Sequence, residues 1–119
     1  MVRSPKVVLA MNRPSLDKFE PMLKAKGLLF INSSLIDRKA ERNDLDVVYV
    51  RANEVAFECG SPKAANMVAL GALVGKTGMV GVESVKAAIA ATFEGKEKII
   101  QLNYKALERG VAIGKGEAQ

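Results

Sequence analysis

Three short apolar runs, Val7-Val8-Leu9, Leu28-Leu29-Phe30-Ile31 and Val47 to Val50, constrain the fold more than anything else in this chain. None of them alternates polar with apolar residues, so each predicts a strand covered on both faces, as in a parallel sheet. The first is expected over Lys6 to Met11. Between it and the second, Ser15 is expected as a helix N-cap, with Leu16, Phe19, Met22 and Leu23 on one face and Gly27 as the stop. The unit reads as strand, helix, strand. Pro21 lies inside the helical stretch, so a kink there, or a restart with Pro21 in a first turn, is expected.

After Ile31 the segment from Asn32 to Asp46 is polar and long for a connection, which predicts a mobile or site-forming loop. Beyond the third strand, Asn53 is expected to cap a short helix carrying Val55, Ala56 and Cys59 and stopping at Gly60. A second helix has Ser61 and Pro62 in the Ncap and N1 places and runs to Lys76. A third carries the stripe Val85, Ala88, Ile89, Thr92 and Phe93 and closes at Gly95. A last helix is expected from Glu97 to Arg109, with Ile99, Ile100, Leu102, Ala106 and Leu107 forming a broad apolar face. Residues 114–119 are expected to be a disordered tail.

Within the second of these helices, Gly71-Ala-Leu-Val-Gly75-Lys76-Thr77 looks at first like a phosphate-binding loop. A true P-loop needs four residues between its first glycine and the Gly-Lys pair, and it links a strand to a helix N-terminus. Here the spacing is one short. The apolar helical run precedes Lys76, so the lysine falls at a helix C-terminus, where the dipole repels phosphate. Gly71 and Gly75 instead read as small residues one turn apart that admit another backbone, and Gly78 as a left-handed cap.

At 119 residues the chain has room for one domain with a modest core. Histidine is absent, which removes the commonest general base and excludes catalytic triads and most zinc or copper sites. One cysteine, Cys59, forms no internal disulfide and no C-x-x-C pair for a cluster or zinc, and is expected as a small core residue. Apolar runs are too short to span a bilayer, and no signal-peptide pattern opens the chain, so a cytoplasmic protein is expected. The net charge of +5 is spread and interleaved with acids, as in Asp37-Arg-Lys-Ala-Glu-Arg-Asn-Asp44, the pattern of a solvated loop. With no base-stacking aromatic cluster, nucleic-acid binding is the minor reading; its general form is a free-standing basic module for nucleic acid or an acidic protein.

In a parallel sheet, ligands gather beyond the carboxyl ends of the strands. Asn12, then Asn32 with Ser33 and Ser34, and then Asn53 follow the three strands and form a candidate rim for a ligand or partner subunit. The competing reading is that asparagine serves there as an ordinary turn and cap residue. Asn66, inside or just before an apolar helix, is a further candidate because a buried amide needs partners. No catalytic residue and no metal ligand is expected.

A resemblance covers nearly the whole chain. Asn66-Met-Val-Ala-Leu-Gly-Ala-Leu73, Thr77-Gly78, Glu83-Ser84-Val85, Leu102-Asn103-Tyr-Lys-Ala-Leu107 and Gly110 resemble the C-terminal part of the gamma subunit of 2-oxoacid:ferredoxin oxidoreductases. Upstream, Val7 to Asn12, Ser15 to Phe19 and Gly27 to Asn32 continue the match. Such enzymes oxidatively decarboxylate a 2-oxoacid to an acyl-CoA and pass electrons to ferredoxin. The resemblance implies that thiamine diphosphate, magnesium and iron-sulfur clusters belong to alpha, beta and, where present, delta chains. None is implied to be bound by this chain alone. The gamma domain is implied to pack against those partners and to help enclose coenzyme A, with 2-oxoglutarate the favoured substrate, then branched-chain 2-oxoacids and pyruvate.

Family members usually begin with a strand, turn and helix of Gly-x-Gly-Gly-Gln-Gly character, which is missing here. The first strand of this chain then corresponds to a later one, and the glycine-rich unit is either truncated or supplied by another polypeptide. The expected architecture is α/β: a short parallel sheet of about three strands, flanking helices and a C-terminal helical set. It amounts to a truncated three-layer domain over residues 1–113. A sheet shortened in this way would expose an edge that a partner must cover.

Overall fold

The computed structural model describes residues 5–117. Packing divides the chain into two compact units, the first ending at Arg51 and the second beginning at Ala52.

In the first unit, β1 (Val7–Ala10), β2 (Leu28–Asn32) and β3 (Asp46–Val50) form one parallel sheet in the order β1-β2-β3. Val8, Leu29 and Val47 stand in register, as do Ala10, Ile31 and Tyr49. Residues in register share a face. One face therefore builds a core in which Ala10, Leu29 and Ile31 meet Leu16, Leu23 and Ile36, with Val8 and Val47 at its margin. Only the central strand, β2, is buried along nearly its whole length; β1 and β3 are edges and stay partly exposed. The expectation of strands covered on both faces holds for β2 alone, because an apolar run reports burial but not position in the sheet.

Helix α1 spans Arg13–Phe19. Its N-cap is Asn12, whose Oδ1 accepts from the Ser15 N–H at 2.9 Å, so Ser15 is the capped residue and not the cap. Pro14 follows in the first turn, where its missing donor costs nothing. The helix stops before Pro21, and Glu20–Met22 restarts as a 3-10 turn with the proline near its beginning. Lys26 then takes a left-handed φ of 65°, and Gly27 packs against backbone: a Cβ there would lie 2.8 Å from the Lys24 carbonyl oxygen.

The second unit opens with α2 (Ala52–Glu58), so Asn53 stands inside the first turn and not at the N-cap. A 3-10 turn, Pro62–Ala64, leads into α3 (Ala65–Thr77). Gly78 closes α3 at φ 65°, its N–H donating to the Val74 carbonyl at 2.8 Å. Helix α4 spans Val82–Thr92, and only Ile89 of its apolar stripe is buried; Val85 and Phe93 are half-buried, while Ala88 and Thr92 face solvent. Tyr104 fastens α4 to the last helix by donating to the Lys86 carbonyl at 3.2 Å.

That last helix, α5, runs over Glu97–Gly114, a full turn beyond the expected end at Arg109. Gly114 is buried in it, and the Lys115 N–H bonds back to the Val111 carbonyl, so the expected tail does not start at Gly114; residues 118–119 lie outside the described residues. The helix continues because Gly110 and Gly114 are packing residues. A Cβ on Gly114 would lie 2.8 Å from the Ala72 carbonyl carbon and from the Lys76 nitrogen. Gly71 and Gly75 on α3 meet Leu107 and Val111 of α5 in the same way. Each helix thus offers glycines one turn apart to the other's backbone.

Candidate functional site

The strand ends of the first unit are held by their own amides. Asn12 is exposed and spends its side-chain oxygen on the α1 cap. Asn32 is 2% exposed; its Nδ2 donates to the Met11 carbonyl at 3.1 Å and its Oδ1 accepts from the Ser34 N–H at 3.2 Å. It thereby ties the ends of β1 and β2 and shapes the turn after β2. The Ser33 N–H extends the ladder to the Val50 carbonyl at 2.9 Å, and Ser33 and Ser34 remain half-buried. The structure brings Asn12 and Asn32–Ser34 to one end of the sheet.

Asn53 and Asn66 belong to the second unit. Asn53 is half-buried in α2, and Asn66 is exposed in the first turn of α3. The apolar face of α3 lies on Ala65, Val68, Ala69 and Ala72 instead.

The polar segment after β2 is organised around a residue that sequence reasoning missed. Glu20, 2% exposed, accepts from Arg38 Nη1 at 3.1 Å, from the Glu41 N–H at 2.7 Å and from the Arg42 N–H at 3.1 Å. Arg42 Nη1 in turn donates to the Glu20 and Leu23 carbonyls at 3.0 and 2.7 Å, and its other nitrogens grip Asp44 at 2.9 and 2.6 Å. Arg38 also reaches Asp17 at 2.8 Å. The segment read as a solvated charge run is a tied loop, because a buried carboxylate needs several donors and the loop's own backbone supplies two of them. Nothing in the local pattern announces this: Glu20 and its partners are 18 to 22 residues apart.

These contacts shift ionisation. Burial pulls the Arg38 guanidinium pKa down, but hydrogen bonds and charge from Asp17 and Glu20 outweigh it and leave the group raised. The Arg42 hydrogen bond holds the Asp44 carboxyl below its ordinary value. Beside the loop, Ser33, Ile36, Asp37, Arg38, Lys39 and Tyr49 line an open cleft of about 450 Å³.

The second unit has a cleft of about 390 Å³ lined by Glu58, Cys59, Lys105, Glu108, Arg109 and Ala112. Arg109 Nη2 meets Glu58 Oε1 at 2.8 Å, and Glu58 and then Cys59 raise the arginine's pKa. Cys59 is half-buried at this charged rim, not in the apolar core where it was expected. Lys76 is exposed near the C-terminal end of α3, the wrong end for a phosphate cradle.

Among the described residues no group of three or more His, Cys, Asp or Glu side chains is placed to hold a metal ion. A single cysteine is too few to hold an iron-sulfur cluster through cysteine thiolates. The cleft at Arg109 sets Glu58 and Glu108 against Lys105 and Arg109, whereas the cleft at Tyr49 sets Asp37 against Arg38 and Lys39. No helix of the described residues is long and apolar enough to cross a membrane.

A parallel three-stranded sheet followed by a helical set is shared with part of the gamma-type chains of 2-oxoacid oxidoreductases. The keto/oxoacid ferredoxin oxidoreductase gamma subunit from Geobacter sulfurreducens superposes with a TM-score of 0.83 at 28% identity, covering 93% of this chain and 64% of that one. Pyruvate oxidoreductase subunit PORC from Thermotoga maritima gives 0.68 at 28% identity, over 92% of this chain and 64% of that one. The family model described as pyruvate ferredoxin/flavodoxin oxidoreductase matches residues 1–113, and the chain belongs to that family. Ketoisovalerate oxidoreductase subunit VorA of Methanothermobacter marburgensis is 39% identical over 111 residues, which are 92% of this chain and 23% of that protein. The chain thus spans about a quarter of this curated relative, and the resemblance read from Asn66–Leu73 and the segments around it holds.

Proposed function

We propose that this chain is a gamma subunit, or part of one, of a cytoplasmic 2-oxoacid:ferredoxin oxidoreductase that forms an acyl-CoA. Residues 1–113 act in it as one gamma-type domain. The observation that carries the reading is the likeness to the Geobacter gamma subunit over 93% of the chain. Alpha and beta chains, with a delta chain where one exists, supply the cofactors and the route to ferredoxin. This chain gives shape and contact. Its strand-end residues, Asn12 with Ser33 and Ser34, and on the second unit Asn53 and Asn66, meet a partner chain or coenzyme A, while Asn32 holds the turn that presents the serines. The substrate first expected is 2-oxoglutarate; the ketoisovalerate name of the 39%-identical relative supports a branched-chain 2-oxoacid as its rival.

The test is co-expression with candidate alpha and beta chains, followed by viologen reduction with coenzyme A and each of 2-oxoglutarate, 2-oxoisovalerate and pyruvate. The isolated chain is expected to be inactive, and the purified assembly active on one substrate. Activity of the isolated chain, or failure to co-purify with any such partner, overturns the reading.

A further inference from the structure

Helix α4 is weakly anchored to the unit it belongs to. Ile89 is the one buried residue of its eleven, against six of thirteen in α3 and seven of eighteen in α5. With Val82, Val85 and Phe93 half-buried around it, Ile89 rests on Val74 of α3 and on Ile100, Leu107 and Val111 of α5. Gly81 stands at the N-cap and supplies no side-chain cap. Among the described residues, the polar ties of α4 to α5 all pass through Lys86. Its carbonyl accepts from the Tyr104 hydroxyl at 3.2 Å, and its ammonium meets Glu108 Oε1 at 3.4 Å and lies 5.3 Å from the centre of the Tyr104 ring. The connections on either side turn at glycines with space around them. Gly78 and Gly95 hold φ of 65° and 83°, and a Cβ at either would meet nothing within 4 Å. A pocket of about 100 Å³ remains along the seam between α3 and the start of α4, with Leu73, Val74, Val80 and Val85 among its walls. The α3–α5 pair beneath is held in the opposite way, by glycines that bring backbone against backbone.

We propose that α4 is a hinged flap, latched to α5 through Lys86, that leaves the α3–α5 pair as one unit and bares the apolar face of Val74, Ile100, Leu107 and Val111. One buried side chain and one latch residue hold it down, whereas the crossing beneath loses no contact when it lifts. The elements that open first in a native protein are those with few buried apolar contacts. An eleven-residue helix without its support does not persist in water, so detachment exposes its amides together. The linkers absorb the movement at Gly78 and Gly95, where no neighbouring side chain has to give way. The device is a property of the second unit alone, whatever assembly the chain enters.

The experiment is residue-resolved amide hydrogen exchange on the full chain over a series of low denaturant concentrations. The amides of Ala87 to Thr92 are expected to share one opening, with a weaker denaturant dependence than those of Val74, Leu107 and Val111 and on the order of 100-fold less protection. Gly71→Ala strains the α3–α5 crossing, which stays closed when only α4 opens. It should speed exchange in α3 and α5 roughly 30-fold and leave α4 unchanged. Tyr104→Phe keeps the ring and removes the hydroxyl of the latch, and should speed α4 roughly fivefold. Because that contact is also lost on full unfolding, α3 and α5 should follow by the same factor. Exchange of α4 with the free energy and denaturant dependence of α3 and α5, or its acceleration along with them in Gly71→Ala, overturns the flap. So does protection that declines from the ends of α4 with no shared opening, which is fraying. Unchanged α4 exchange in Tyr104→Phe overturns the latch. If Gly71→Ala does not fold, the denaturant series on the native chain decides alone.

Discussion

Gly71 of α3 and Gly110 of α5 face each other with no room for a side chain on either: a Cβ on one would lie 2.9 Å from the Cα of the other. Real Cβ atoms do not approach backbone so closely, so either substitution forces the helices apart. Alanine at a helix interior gains about 1 kcal/mol over glycine, but overpacking against rigid backbone costs about 3 kcal/mol. Gly71→Ala and Gly110→Ala are each expected to lose about 2 kcal/mol in denaturant melts. Gly78→Ala, in a left-handed cap with nothing near its Cβ, should lose about 1 kcal/mol. Wild-type stability of Gly110→Ala would contradict the close crossing.

Glu20→Gln should release the loop it anchors. An amide keeps the shape but turns donors toward at least one of the three groups that now donate to the carboxylate. The expected cost is about 2 kcal/mol. Faster amide exchange at Glu41 and Arg42 is the specific signature, and unchanged exchange there would refute the anchoring role.

Asp44 adds a pH dependence. Its folded pKa lies below the ordinary 3.8 because of the Arg42 hydrogen bond, so its contribution is present above that value and disappears as pH falls through the lower folded pKa. Melting temperatures taken between about pH 5 and pH 2 should fall less steeply for Asp44→Asn than for the native chain. The difference should be small, since the pair is solvent-exposed and screened.

Asn12→Ala removes a cap and should cost about 1 kcal/mol, while Asn32→Ala breaks a buried tie between two strand ends and should cost about 2 kcal/mol. Paired melts and assays of the assembly separate structure from contact. If Asn12 meets a partner or coenzyme A, its variant raises the apparent KM for coenzyme A or weakens assembly beyond what the lost stability explains. A stability loss alone would leave it a cap.

Lys76→Ala should leave ATP binding where it stands in the native chain, at background. Titration calorimetry showing an affinity that vanishes with this change would reinstate the phosphate-loop reading.

The sequence by itself determined the local order of this protein. Continuous apolar runs marked three parallel strands, Pro21 broke the first helix, and Gly78 ended another, because burial, a missing N–H and a left-handed φ each act within a few residues. The residue order from Asn66 to Gly110 also carried the family. Tertiary structure decided the rest. Whether Glu20 was solvated or buried depended on Arg38, Glu41 and Arg42 folding back onto it, and how far α5 ran depended on Gly110 and Gly114 finding the backbone of α3. Asn12, Ser15 and Asn53 were all plausible caps by residue type, and only the observed helix starts chose among them. Local pattern encodes which backbone conformations a segment prefers. Which polar group is buried and which glycine is crossed follow from contacts between residues far apart in sequence, where no local signal records the partner.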